Sequence, residues 1–210
     1  MDVAHPIKAV IPSLDARVLE VMAGTLSSMS GLQVQSLVPE ASYAGVRKVL
    51  LRLVSQGLVH ADSRGNAVYF SANRKHLAWP AVETLVSLRQ TLFGQLRESI
   101  AGWRPPPIHA SLFGSAARGD GDETSDIDLL LVRPELAADA EAAWSGQVDA
   151  LRGAVVQMTG NDLQIFETSL DDLRPLIEAR DPIVDEWRRD GLPLAGRNLT
   201  SIVRELAKRD

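Results

Sequence analysis

The stretch LFGSAARGDGDETSDIDLLLV, residues 112–132, limits the folds open to this chain more than any other part of it. An apolar run ends at Phe113, and Gly114-Ser115 lets the backbone turn sharply into a helix start. Free N–H groups at such a turn, with the Ser115 hydroxyl, can hold a phosphate. Arg118 follows within a turn and adds a planar cationic fork for phosphate oxygens. After a polar, glycine-bearing loop, Asp126 and Asp128 stand at i and i+2 of a second apolar run. Alternation along a strand puts both carboxylates on one face. Two carboxylates opposite a phosphate cradle suit Mg²⁺, which takes one or two carboxylates plus substrate phosphates and water.

The pattern around this stretch alternates strand and helix. Pro105-Pro106-Pro107 is stiff and extended and ends what precedes it. Strands are expected over 108–113, 126–132 and 163–167. A helix is expected over 136–158, with Trp144, Val148, Leu151, Val155 and Met158 in register. Ser169 caps another helix, with Asp171 and Asp172 well placed in its first turn. Segments 182–190 and 198–209 read as helices separated by Gly191–Gly196. Trp144 at helical spacing reads as core. The four histidines, His5, His60, His76 and His109, show no zinc-ligand spacing. His109 precedes Gly114 on its strand and is expected near the site.

The combination G-S-x-x-R-G, a short loop and S-D-x-D-L between two apolar strands resembles the nucleotidyltransferase fold of the DNA polymerase beta superfamily, and within it the small minimal nucleotidyltransferases. The resemblance covers 108 to about 180. It implies that Gly114, Ser115 and Arg118 bind a nucleoside triphosphate and that Asp126 and Asp128 ligate Mg²⁺ (or Mn²⁺). It also implies transfer of a nucleoside monophosphate to a hydroxyl, with pyrophosphate leaving. The family carries a third carboxylate on the next strand, which here reads GNDLQIFETS. The matching position is Gln164, whose neutral amide cannot take the acceptor's proton. Asp162, two residues earlier, is the alternative acid, and Glu167 falls on the opposite face by parity. Relatives act as antitoxins by nucleotidylating a toxin, which adds a toxin-like protein to the implied acceptors, beside an RNA end or a small molecule.

The first third has a different pattern. Ser13 caps a helix over 14–28, a short helix covers Leu32 to Val38, and Ser42 caps a third helix running to Gln56. Val46, Val49, Leu50, Leu53 and Val54 form the apolar stripe of the third helix, and Gly57 stands at the C′ position that ends it. Two short strands, 58–61 and 67–71, flank the turn chemistry of Asp62–Asn66. Three helices followed by a hairpin resemble a winged helix-turn-helix domain. The resemblance implies duplex DNA as partner, with Tyr43, Arg47 and Lys48 at the start of the recognition helix and Arg64 at the wing tip.

The expected architecture is therefore α/β of the α+β type. Residues 1–78 form a winged helix and 79–107 a connecting helix and proline-rich linker. Residues 108–210 form a nucleotidyltransferase-like mixed sheet with flanking helices. Charge follows the division: residues 1–78 carry 8 Lys/Arg and 5 Asp/Glu, net +3, whereas residues 79–210 carry 14 and 22, net −8. Leu85, Leu88, Leu92, Leu96 and Ile100 stripe a helix over 81–101, which either packs the two domains or pairs with a second copy in a homodimer. The absence of cysteine excludes a disulfide scaffold and cysteine nucleophiles. No apolar run reaches a membrane span, and the first residues show no signal peptide, so a cytoplasmic protein is expected. Two functions follow from these readings. One is a DNA-binding regulator with a nucleotide- and Mg²⁺-binding domain. The other is an active nucleotidyltransferase of the antitoxin type.

Overall fold

A computed structural model describes residues 1–208 of the chain; Arg209, the end of the helix expected over 198–209, lies outside the described residues. The chain forms two compact units. One is His5–Arg89, and the other joins Met1–Ala4 to the chain from Gln90 onward.

In the first unit, α1 (Leu14–Ala23), α2 (Gly31–Ser36) and α3 (Tyr43–Ser55) are followed by β2 (Val59–Arg64) and β3 (Ala67–Ala72). Ser13, Ser30 and Ser42 cap the three helices, and Ser30 forms a reciprocal box with Gln33. The α1 helix is shorter than its apolar spacing predicts. Gly24 follows it, and the Arg74 guanidinium donates to the Ala23 and Thr25 carbonyls, closing the helix end. The segment expected as loop contains a two-residue strand, β1 (Met29–Ser30), which pairs antiparallel with β3 through Met29–Phe70 and Ser30–Tyr69. The hairpin strands run further than predicted, and only Gly65-Asn66 remain as the turn. The core is built from Ile7, Met22, Val34, Val46, Leu50, Val59, Phe70 and Trp79.

The expected single helix 81–101 is two helices, α4 (Trp79–Val86) and α5 (Leu88–Ala101), interrupted at Ser87. Its leucine stripe is divided. Leu85 packs against the core of the first unit, whereas Leu92, Leu96 and Ile100 are buried in the core of the second. Leu92, Leu96 and Ile100 are thus taken up within the second unit, and Leu85 and Leu88 are half-buried.

The second unit is a four-stranded mixed sheet. Its elements are β4 (His109–Phe113), α6 (Gly114–Arg118), β5 (Ile127–Val132), α7 (Glu141–Thr159), β6 (Leu163–Thr168), α8 (Leu170–Glu178), α9 (Pro182–Asp190), β7 (Leu192–Gly196) and α10 (Leu199–Leu206). The strand order is β6-β5-β4-β7, with β5 and β6 parallel and the other pairs antiparallel. One face, with Leu129 and Leu131, packs on α5 and α7 through Leu96, Trp144, Val148 and Leu151. The other, with Leu130 and Val132, packs on α8–α10 through Leu173, Trp187 and Ile202.

Three expectations change. The Gly191–Gly196 separator contains the edge strand β7, whose Pro193 is tolerated because an edge strand needs fewer ladder donors. The α7 helix begins at Glu141 rather than 136, and Leu136 packs against the first face from irregular chain. Met158 is 39% exposed while Thr159 is buried, so the buried stripe ends at Val155 and Thr159. Among the described residues no helix is long and apolar enough to cross a membrane.

Candidate functional site

The site is assembled at the end of the sheet where β4 and β5 meet, since Phe113 pairs with Asp128 in the antiparallel register. Phe113 is extended, Gly114 takes φ +65°, and α6 starts there. A Cβ on residue 114 would overlap the Oδ2 atom of Asp128. Glycine is therefore required twice, for its backbone angle and for the space that the carboxylate occupies. The returning loop closes over Ser115: a Cβ at Gly121 would stand 2.9 Å from the Ser115 Oγ and 3.2 Å from the Ser125 Oγ. Within the loop, Asp122 accepts from the Thr124 and Ser125 hydroxyls, and these bonds hold its carboxyl below the usual carboxylate range. Asn161 fastens the loop end by donating from Nδ2 to the Ser125 carbonyl (2.8 Å).

Asp126 immediately precedes β5 and is exposed; Asp128 is the second residue of the strand and half-buried. Asp128 shares the sheet face that carries Leu130, the side covered by α9, and Asp126 stands close enough to act on its carboxyl. Burial, reinforced by the negative charges of Asp126 and then Glu186, pushes the Asp128 carboxyl above its ordinary value. Arg118 opposes this shift. A half-buried carboxylate crowded by like charges is relieved by a cation, so the donor set fits a divalent metal. Among the described residues no cluster of three or more His, Asp or Glu is gathered to hold a metal. The pair Asp126 and Asp128 suits Mg²⁺ completed by phosphate oxygens and water.

The parallel register sets Gln164 directly beside Asp128. Asp162 lies one step further out, where its carbonyl accepts the Ile127 N–H (2.9 Å), level with Asp126. The β6 position adjacent to Asp128 thus carries a neutral amide. Glu167, on the other face, accepts from the Trp144 indole (2.9 Å). Trp144 is buried edge-on to Trp103, as expected of a core residue.

Arg118 stands at the end of α6, where its guanidinium meets three carboxylates. Nε donates to Asp120 (3.0 Å), and Nη1 to Asp190 (3.1 Å) and Glu186 (3.3 Å). The bonds to Asp120 and Asp190 hold its pKa above the ordinary arginine value. Arg189 chelates Asp190 through Nε (2.7 Å) and Nη2 (2.9 Å), and with Arg118 lowers that carboxyl to about 2. Glu186 and Asp190 were absent from the sequence-based site. Their i, i+4 spacing does place them on one helix face, but only the packing of α9 on α6 brings that face to Arg118.

His109 is corrected. It sits at the opposite end of β4 from Phe113, buried, with Nδ1 at 2.7 Å from the Arg197 carbonyl and Nε2 at 2.9 Å from the Ser111 Oγ. Burial lowers its pKa, and the carbonyl contact acts against that shift. A cavity of about 200 Å³ lined by Ile108, Arg133, Ser169, Arg174, Arg197 and Glu205 also lies at that far end, away from Asp128.

In the first unit, Arg47 and Lys48 are exposed on α3 and have no ion-pair partner among the described residues. Tyr43 opens α3, its ring edge 3.1 Å from where a Cβ of Gly31 would stand. Arg64 is at the hairpin turn, bonded to Asp62 (2.8 Å) and placed over the Tyr69 ring at 5.3 Å. Arg52, on the same helix, is taken up by Asp15.

A family model described as a nucleotidyltransferase domain matches residues 96–184. That range contains every residue assigned to the phosphate turn and the carboxylate pair. No curated protein matches the chain. Among solved structures, a chain described as "Crystal structure of the toxin-antitoxin with AMP-PNP" aligns at 18% identity, covering 56% of this chain and 82% of that one, with a TM-score of 0.34.

Proposed function

We propose that this protein binds a nucleoside triphosphate with Mg²⁺ (or Mn²⁺) at Gly114, Ser115, Arg118, Asp126 and Asp128, and binds duplex DNA through residues 1–78. The seating of the Asp128 carboxylate against the Gly114 backbone carries the nucleotide reading, because it joins a metal-type ligand to a phosphate-type turn. The nucleotidyltransferase match over residues 96–184 supports it independently. In this reading the domains divide at 1–78, 79–107 and 108–210. The amides and hydroxyl of Gly114 and Ser115 hold phosphate oxygens, and Arg118 adds charge-assisted bonds. A bound divalent cation supplies charge neutralisation at the phosphate oxygens. For the DNA contact, the exposed Arg47 and Lys48 on α3 meet the duplex and Arg64 reaches it from the hairpin, as in a winged helix.

A second reading is an active transferase, in which an acceptor hydroxyl bonds the α-phosphorus, the α–β anhydride breaks and pyrophosphate leaves. The acceptor's proton needs a base. Gln164 cannot serve, and Asp162, immediately before β6 and level with Asp126, is the alternative carboxylate. A toxin-like protein, an RNA end or a small molecule would provide the hydroxyl.

Incubation with labelled nucleoside triphosphates and Mg²⁺, with and without cell lysate, separates the two. Binding without transferred label supports the first reading; label on an acceptor supports the second. Absence of Mg²⁺-dependent binding overturns both.

A further inference from the structure

Asp190 stands in an unfavourable place for an acid. It is the last residue of α9, where the carbonyl end of the helix carries partial negative charge, and its side chain is only 7% exposed. Two guanidiniums offset this. Arg189 binds it with two N–H groups, and Arg118, from α6, binds it with a third. One carboxylate therefore ties together two arginines from different elements. Arg118 belongs to the helix that begins at the phosphate turn, and Arg189 is 70% exposed. Neither Nη2 of Arg118 nor Nη1 of Arg189 takes part in these bonds.

We propose that Asp190 is a positioning residue that aligns Arg118 and Arg189 as a two-guanidinium fork for the polyphosphate of the nucleotide, with Arg189 as a second phosphate-binding cation. The inference rests on the nucleotide reading above. A lone arginine on a five-residue helix has many rotamers, and holding it by a buried carboxylate removes that freedom before the ligand arrives. The acid also forces the two cations together against their mutual repulsion. Such a fork favours a triphosphate over a monophosphate, because a chain of phosphates brings more negative charge and more acceptor oxygens to the two guanidiniums.

The test uses the full chain and two probes, ATP and inorganic tripolyphosphate, each with Mg²⁺, titrated by calorimetry, with AMP as the comparison. Asp190→Asn keeps shape and one acceptor while removing the charge, and thermal melting verifies its fold. Loss of a charge-assisted contact should weaken ATP and tripolyphosphate by about tenfold and leave AMP nearly unchanged. Arg189→Ala should show the same phosphate dependence. In Arg118→Ala/Asp190→Asn the loss should be no more than that of Arg118→Ala alone plus the smaller contribution of Arg189, since Asp190 acts through the arginines. Unchanged or tighter ATP binding in folded Asp190→Asn would overturn the proposal and make Asp190 a competitor for Arg118. Equal weakening for ATP and AMP would also overturn it, as the mark of a merely structural role. If an Asp126→Asn/Asp128→Asn variant binds ATP as tightly as the unaltered protein, the nucleotide reading itself fails, a result separable from failure at Asp190.

Discussion

The Asp128 carboxylate occupies the space that a side chain on residue 114 would need. The turn that would receive phosphate and the acid that would receive the metal are thus in contact before any ligand is present. Gly114→Ala sets a methyl group against that carboxylate and places alanine at φ +65°. The backbone strain alone costs about 1–3 kcal/mol. The variant should unfold at lower urea, and any folded fraction should bind Mg²⁺–ATP much more weakly. Unaltered stability and affinity together would refute the contact.

Asp128 gives a pH prediction whose sign is opposite to that of a salt-bridged acid. Its folded pKa is raised, so the folded state binds the proton more tightly than the unfolded one. Its stabilising effect is full below the unfolded carboxylate range and is lost as pH rises through the higher folded value. In EDTA at neutral pH, Asp128→Asn should therefore melt above the unaltered protein, and the gap should close in acid. Added Mg²⁺ should raise the melting temperature of the unaltered protein alone. A variant that melts lower at neutral pH in EDTA would contradict this.

Gln164 sits beside Asp128 in the register of β5 and β6. Gln164→Glu introduces a third carboxylate at the edge of the pair. It should tighten Mg²⁺ binding on the order of tenfold, or about 1.4 kcal/mol, and raise any transfer of label. If instead the unaltered protein transfers rapidly and Asp162→Asn abolishes it, Asp162 is the base and Gln164 a bystander.

Arg47 and Lys48 are exposed and have no ion-pair partner among the described residues, whereas Arg64 is bonded to Asp62. Alanine at Arg47 or Lys48 should weaken binding to all duplex sequences and reduce the salt slope by about one each. Arg64→Ala should cost less, because the guanidinium must first leave Asp62. Fluorescence anisotropy on duplex from the upstream region, across a salt series, reads both quantities. No binding at low salt would remove DNA from the account.

The local grammar of the chain is strong where a side chain acts on its own backbone. Ser13, Ser42, Ser169 and Asn198 stand as caps in front of their helices, and the strands around Gly114 run nearly as their apolar patterns predict. Asp128 shares a face with Leu130 by strand alternation, and Asp126, two residues earlier, follows the same spacing and stands close enough to raise the Asp128 carboxyl. These features depend on neighbours a few residues away, so the linear sequence contains them.

Tertiary packing decided the rest. A two-residue strand such as β1 has no period to read, and β7 contains a proline and ends in glycine, so each becomes a strand only through the partner that pairs with it. The leucine stripe of 81–101 looks continuous, yet Leu85 and Leu92 enter different cores. The site shows the same division. Its turn and its two acids were legible because they lie within 15 residues of one another. Arg118's engagement by Glu186 and Asp190 spans 68 and 72 residues and arises only because Trp187 buries α9 against the sheet. Sequence determined which groups can bind phosphate and metal; the packing of α9 determined which charges stand beside them, because electrostatic interaction follows distance in space and not separation along the chain.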